Sequence, residues 1–294
     1  MSSISHIRVG TDFSGHAEGA AGRAARLAPV LGVGSVHLVH ALDSHRVRAV
    51  RDLLPVLGEL QLKQTRFAEA SLDTLATTLK QRQGVDCQAE LREGTPVSAL
   101  LDEADASDLV VVGGGDEHAG IGTVMLGSTA ERVVRSSVSP VLVVRREPAA
   151  DYARVLVPVD FSGDARAALV LARELAPEAT LYLMHAYPPL PPAYQLHAPL
   201  SDDDVARYKD AVERDSAEKM DALVRECGLE ESRVHRILDY GYPPRMIAEQ
   251  ARAVNADLIA MGRHGHNRSR EWFMGSVTTH VLNHLDHDVL VAHA

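Results

Sequence analysis

The chain is written twice, and that repeat limits what it can fold into. Ile7-Arg-Val-Gly-Thr-Asp-Phe-Ser14 returns as Val155-Leu-Val-Pro-Val-Asp-Phe-Ser162. Val36-His-Leu-Val-His-Ala41 returns as Leu181-Tyr-Leu-Met-His-Ala186. Gly94-Thr-Pro96 returns as Gly241-Tyr-Pro243, and Ala106 to Val112 returns as Asn255 to Met261. Gly127-Ser128 returns as Gly275-Ser276, and Pro140 to Val144 returns as Asp288 to Ala292. Asp12 and Asp160 lie 148 positions apart, as do Gly127 and Gly275. A period this long implies two whole domains, 1–147 and 151–294, joined by Arg146 to Asp151. A solenoid would repeat over far fewer residues.

Within each half, short apolar runs alternate with helical stretches. Ser14 and Ser162 are expected N-caps. Ala17–Leu27 and Ala165–Leu175 follow them with helical periodicity. Longer helices are expected over Pro55–Gln81 and Asp203–Glu226, stopped by Gly84 and Gly228. Pro96 and Pro243 open third helices, Val97–Ala104 and Pro244–Ala253. Five strands and about four helices per domain predict an α/β fold, two tandem doubly wound parallel sheets of Rossmann-like form. Pro188 to Asp204 is expected to be a long proline-rich loop.

The most informative stretch runs from Met261 to Ser276. Asp257 to Met261 reads as a buried strand, and Val277 to Leu285 as the start of a helix. Between them fall Gly262, Gly265 and Gly275-Ser276, spaced G-x2-G-x9-G-S. Glycine lets backbone approach a ligand, and a helix N-terminus offers free N–H groups and a favourable dipole to a phosphate. Asp160 and this loop both fall at carboxyl ends of strands, where doubly wound sheets hold their ligands.

Composition narrows the partners. The formal net charge is -10 with no Lys/Arg run, which disfavours nucleic acid. No apolar run reaches the ~18 residues of a membrane span. The two cysteines, Cys87 and Cys227, form no disulfide framework and no CxxC pair. A cytoplasmic location is therefore expected. Aromatics make up only 4% of residues, so the cores must be aliphatic, as buried parallel strands require.

Pro158-Val-Asp-Phe-Ser162, His185-Ala186 and the glycine-serine spacing of 262–276 resemble the universal stress protein family, in its tandem two-domain form. That resemblance spans essentially the whole chain. It implies an adenine nucleotide alpha hydrolase-like fold and ATP, alone or with Mg or Mn, held mainly by the C-terminal domain. Carried over, Pro158, Val159, Asp160 and Ala186 would meet the adenine end. Met261, Gly262, His264, Gly265 and His266 would line ribose and triphosphate. Gly275, Ser276 and Val277 would complete the phosphate cradle. Family members commonly pair, so the tandem chain is expected to form an internal pseudo-dimer through Val141–Val144 and Val289–Val291, and further homodimers are compatible with it.

The first domain departs from this pattern. Its loop reads Gly113-Gly-Gly-Asp-Glu-His118 before Gly127-Ser128. Counted back from Gly127, the second glycine position is Glu117; counted forward from Gly113, it is Asp116. Either count puts a carboxylate where phosphate would lie, and like charges at about 4 Å repel by about 1 kcal/mol even in water. The first site is expected to be weak or empty for ATP.

Other readings stay open. Asp12 and Asp160 could merely cap the turns that follow them. His40 and His185 suit structural roles at strand ends. His280 and His284, spaced i, i+4, could present two ligands to zinc. Three classes of function follow: an ATP-binding stress or signalling protein with an unidentified protein partner, a non-nucleotide scaffold acting through protein contacts, and a slow ATPase or metal-dependent hydrolase. No nucleophile and base can be placed together from the sequence, so no catalytic residue is assigned.

Overall fold

The computed structural model describes residues 3–42, 56–115, 126–187, 201–265 and 274–294. The chain divides into an N-terminal unit, Met1–Asp151, and a C-terminal unit, Tyr152–Ala294. The first unit contains β1 (His6–Gly10), α1 (Gly15–Leu31), β2 (Ser35–Leu42), α2 (Val56–Gln83), β3 (Asp86–Glu93), α3 (Pro96–Leu101), β4 (Asp108–Gly113), α4 (Ser128–Ser136) and β5 (Val141–Val144). The second contains β6 (Arg154–Pro158), α5 (Gly163–Leu175), β7 (Thr180–Tyr187), α6 (Asp202–Glu226), β8 (Val234–Tyr240), α7 (Pro243–Ala253), β9 (Leu258–Gly262), α8 (Ser276–His284) and β10 (Asp288–Ala292).

All strand pairs within each unit are parallel. The order is β3-β2-β1-β4-β5 in the first and β8-β7-β6-β9-β10 in the second. Each unit is thus an α/β doubly wound sheet whose strand order reverses beside its first strand. In the second unit that reversal falls between β6 and β9, which pair through Val155 with Leu258 and Leu156 with Ile259. The core is aliphatic: Leu156, Leu169, Leu183, Leu258 and Ile259 are fully buried. Burying each such side chain contributes about 1.5–3 kcal/mol against leaving it exposed.

The helix starts follow local chemistry. Ser14 and Ser162 take extended backbone, and their hydroxyls accept from Ala17 N and Ala165 N at 3.3 and 3.2 Å. Pro96 and Pro243 stand at first helical positions, where a missing N–H costs nothing. Two expectations need correction. The helix expected over Val97–Ala104 is Pro96–Leu101, six residues only. The expected loop ends before Asp204, because Ser201 and Asp204 form a capping box and α6 begins at Asp202. Residues 188–200 of that loop lie outside the described residues.

Candidate nucleotide site

The chain turns sharply after β1 and again after β6. Phe13 and Phe161 both have φ 65, a left-handed conformation unusual for so bulky a residue. The preceding aspartate holds each turn: Asp12 Oδ1 accepts from Ser14 N, and Asp160 Oδ1 from Ser162 N, both at 3.0 Å. The rings rest on the strand-end histidines, Phe13 on His40 at 4.5 Å and Phe161 on His185 at 4.6 Å between centroids. His40 and His185 in turn bond Thr11 O and Val159 O through Nδ1, at 2.8 and 2.7 Å. These histidines therefore have structural partners.

At the reversal of strand order in the C-terminal unit lies a cavity of about 400 Å³. Pro158, Val159, Asp160, Ala186, Met261, Gly262, His264, Gly265, Gly275, Ser276 and Val277 all border it. His266, the remaining position implied by resemblance, lies outside the described residues. Sequence reasoning missed Met184, Pro243, Ile247 and Thr278, which also line it. Its lining combines the apolar side chains of Val159, Met184, Ala186, Ile247 and Met261 with a polar wall of Gly265, Gly275, Ser276 and Thr278.

That polar wall has a particular construction. Gly275 is the N-cap of α8, has no side chain, and makes no side-chain cap bond. The first-turn N–H groups of α8 therefore have no side-chain acceptor from their N-cap, the situation in which an anion is held best. Gly275 N–H donates to Arg263 O at 2.8 Å, which ties the start of α8 to the loop. The N–H groups of Ser276, Val277 and Thr278 stand in the first turn, where no carbonyl within the helix can accept from them, and Ser276 is exposed. Thr278 is buried, and its hydroxyl donates to Gly262 O at 2.8 Å, tying helix to loop.

Asp160 serves two purposes. Oδ1 holds the turn, while Oδ2 would lie 2.8 Å from a Cβ built on Gly265. A side chain at Gly265 would require that carboxylate to shift. Gly262 is constrained differently. A Cβ there would stand 2.8 Å from Asp164 Cβ and 2.9 Å from Ala165 N, so this glycine seats β9 against α5.

Asp164 was not anticipated. It is 2% exposed, yet it anchors the loop. Oδ2 accepts from His264 N at 3.0 Å and from His264 Nδ1 at 3.1 Å, and Oδ1 accepts from Ala294 N at 3.0 Å. Burial opposes ionisation of this carboxyl, but the bonds from Ala294 and His264 outweigh it and hold it below the usual carboxylate range. Arg263 beside it is pushed down by burial, which Asp164 partly offsets. The only signal in the sequence was a difference between the repeats: His16 stands where Asp164 would be.

The corresponding cavity of the N-terminal unit is smaller, about 310 Å³, and includes Asp12, His16, His40, Gly113, Gly115, Gly127 and Ser128. Ile7 pairs with Leu109 as Val155 pairs with Leu258, and a Cβ on Gly113 would meet His16 backbone as one on Gly262 meets Asp164. Gly113 is thus the counterpart of Gly262, and the first loop is one residue longer. From the helix side, a Cβ on Gly127 would meet Gly115 O at 3.0 Å as one on Gly275 meets Arg263 O at 3.2 Å, so Gly115 takes the place of Arg263 and the extra residue is accommodated before it. Asp116 and Glu117 lie outside the described residues.

Three other features were weighed as sites. A larger cavity, about 1130 Å³, lies in the N-terminal unit. Its walls are the flanks of α1 and α2, the turn residues Phe13 and His16, and the stretch 144–148, and volume alone does not make a site. His280 and His284 stack at 4.2 Å, and His284 Nδ1 bonds His280 O. Among the described residues, no three His, Cys, Asp or Glu are grouped to hold a metal. Burial and Asp86 push the Cys87 thiol up to about 11, which leaves it unreactive at neutral pH. No helix among the described residues is long and apolar enough to cross a membrane.

The model of the universal stress protein family matches the chain twice, over residues 3–145 and 151–293. A universal stress protein of Mycolicibacterium smegmatis is 26% identical over 297 residues, covering 97% of this chain and 96% of that protein. Universal stress protein E of Escherichia coli K12 is 25% identical over 213 residues, 67% of this chain and 64% of its own length, so the match spans less than two thirds of that relative. The crystal structure of a universal stress protein from Archaeoglobus fulgidus superposes with a TM-score of 0.67 at 20% identity, covering 98% of both chains, a likeness of fold. With two full family matches on two doubly wound units, the chain belongs to the universal stress protein family in its tandem form.

Proposed function

We propose that this protein binds an adenine nucleotide, ATP, in its C-terminal unit and acts in a stress response through that bound state. The observation that carries the reading is the start of α8. An N-terminus capped only by a glycine borders a cavity that is also lined by apolar side chains. Its volume, about 400 Å³, lies within the range of small-ligand pockets, ~300–1,000 Å³. In this reading the backbone N–H groups of Ser276, Val277 and Thr278 take the phosphates, with the Ser276 hydroxyl as a further donor. The apolar wall of Val159, Met184 and Ile247 takes the base, and Asp160 Oδ2 is placed to accept a hydrogen bond. The proposal is one of binding, and it assigns no catalytic residue.

The test is mass spectrometry of small molecules released when the purified full chain is denatured. ATP or ADP at a substantial fraction of one per chain is expected. Protein purified with no nucleotide, and taking up none when ATP is added, contradicts the reading and favours the scaffold alternative.

A further inference from the structure

We infer that Asp164 is a positioning residue for the phosphate-facing loop, acting through His264; the inference rests on the nucleotide reading above. Asp164 lies in the first turn of α5, 100 residues from His264 in sequence. Its single carboxylate fixes both the backbone and the ring of His264, the residue immediately before Gly265. With Nδ1 held by Asp164, the ring of His264 is locked in one orientation while it borders the cavity. The other oxygen holds Ala294 N, so the carboxylate cannot swing away without losing a second segment. The N-terminus of α5 further favours its negative charge.

The N-terminal unit supplies an internal comparison. It has the same strand, the same close glycine and the same uncapped helix start at Gly127. It lacks the anchor: His16 takes the place of Asp164 and packs directly against the backbone of Gly115. The two units therefore differ both in loop length and at the residue beneath the loop.

The inference is tested by calorimetric titration of the full chain with ATP and, separately, with adenosine. Wild type, Asp164→Asn, His264→Ala and the double variant are compared. Bonds to an ionised acceptor are the stronger kind, so each single variant should weaken ATP binding by about tenfold. Adenosine binding should change by less than about threefold, since the loop faces the phosphates and not the base. The double variant should be no worse than the weaker single variant, because both remove one linkage. Equal losses of ATP and adenosine mean a general structural role and overturn the inference, as does unchanged ATP affinity. If Asp164→Asn does not fold, His264→Ala carries the same comparison, and absence of an ATP-selective loss there overturns the inference. A wild type that binds no ATP overturns the nucleotide reading itself and this inference with it.

Discussion

Replacing Gly275 by valine should weaken ATP binding by two to four powers of ten and leave the fold intact. Gly275 has φ -57 and ψ 145, a conformation valine also adopts, so backbone strain is not the reason. The reason is space. A Cβ at this position would lie 3.2 Å from Arg263 O and 3.8 Å from His264 Cα, already tight. Two further methyl groups must project toward the loop or into the mouth of the cavity, where a phosphate would sit against the N–H groups of Ser276 and Val277. Charge-assisted hydrogen bonds are worth about 1.5–3 kcal/mol each, and losing two gives the stated range. Circular dichroism should match wild type, because the position lies at the rim of the sheet. Wild-type ATP affinity in this variant would mean that the start of α8 is not the phosphate cradle.

Gly262→Val should behave in the opposite manner, with loss of stability as its primary effect. The added Cβ meets Asp164 Cβ at 2.8 Å and Ala165 N at 2.9 Å, and the second of these is backbone that cannot rotate aside. β9 and the start of α5 must separate, and overpacking of this kind costs about 1–3 kcal/mol or more. The urea midpoint of the full chain should fall without a change in slope. Gly34→Ala is the control, since a Cβ there meets nothing within 4 Å, and its midpoint should stay close to wild type. If Gly262→Val is as stable as that control, the contact between β9 and α5 is looser than described.

These two glycines show what sequence reasoning could and could not resolve. The repeat, the parallel strands and the capped helices were readable because each rests on local chemistry: apolar runs, serine caps, proline at first turns. The bordering of one cavity by Asp160, Ala186, Met261, Gly262, Gly265 and Gly275 was also within reach, because the topology of such sheets brings those strand ends together. The individual duties of the glycines were not. Gly262 looks like a residue that admits a ligand, yet its first constraint is the backbone of α5 packed against it. Gly275 N–H looks free but is used by Arg263 O. Asp164 was invisible because its partners lie 100 and 130 residues away, and no spacing rule spans such distances. The left-handed Phe13 and Phe161 were equally hidden, since nothing local marks a bulky residue for that conformation. The start of α6 was expected at Asp203, one residue late, because the capping box of Ser201 and Asp204 sets it at Asp202.

The same physics separates the two units. Their strands and glycine turns correspond, but the first loop carries one more residue and His16 where the second has Asp164. One site is therefore expected to bind ATP at least tenfold better than the other. The measurement that tests this most directly is calorimetric titration of the full chain with ATP, repeated on Gly275→Val and Gly127→Val. The account predicts one tight site per chain, lost in Gly275→Val and retained in Gly127→Val. Two equivalent sites, or a tight site lost only in Gly127→Val, would contradict it.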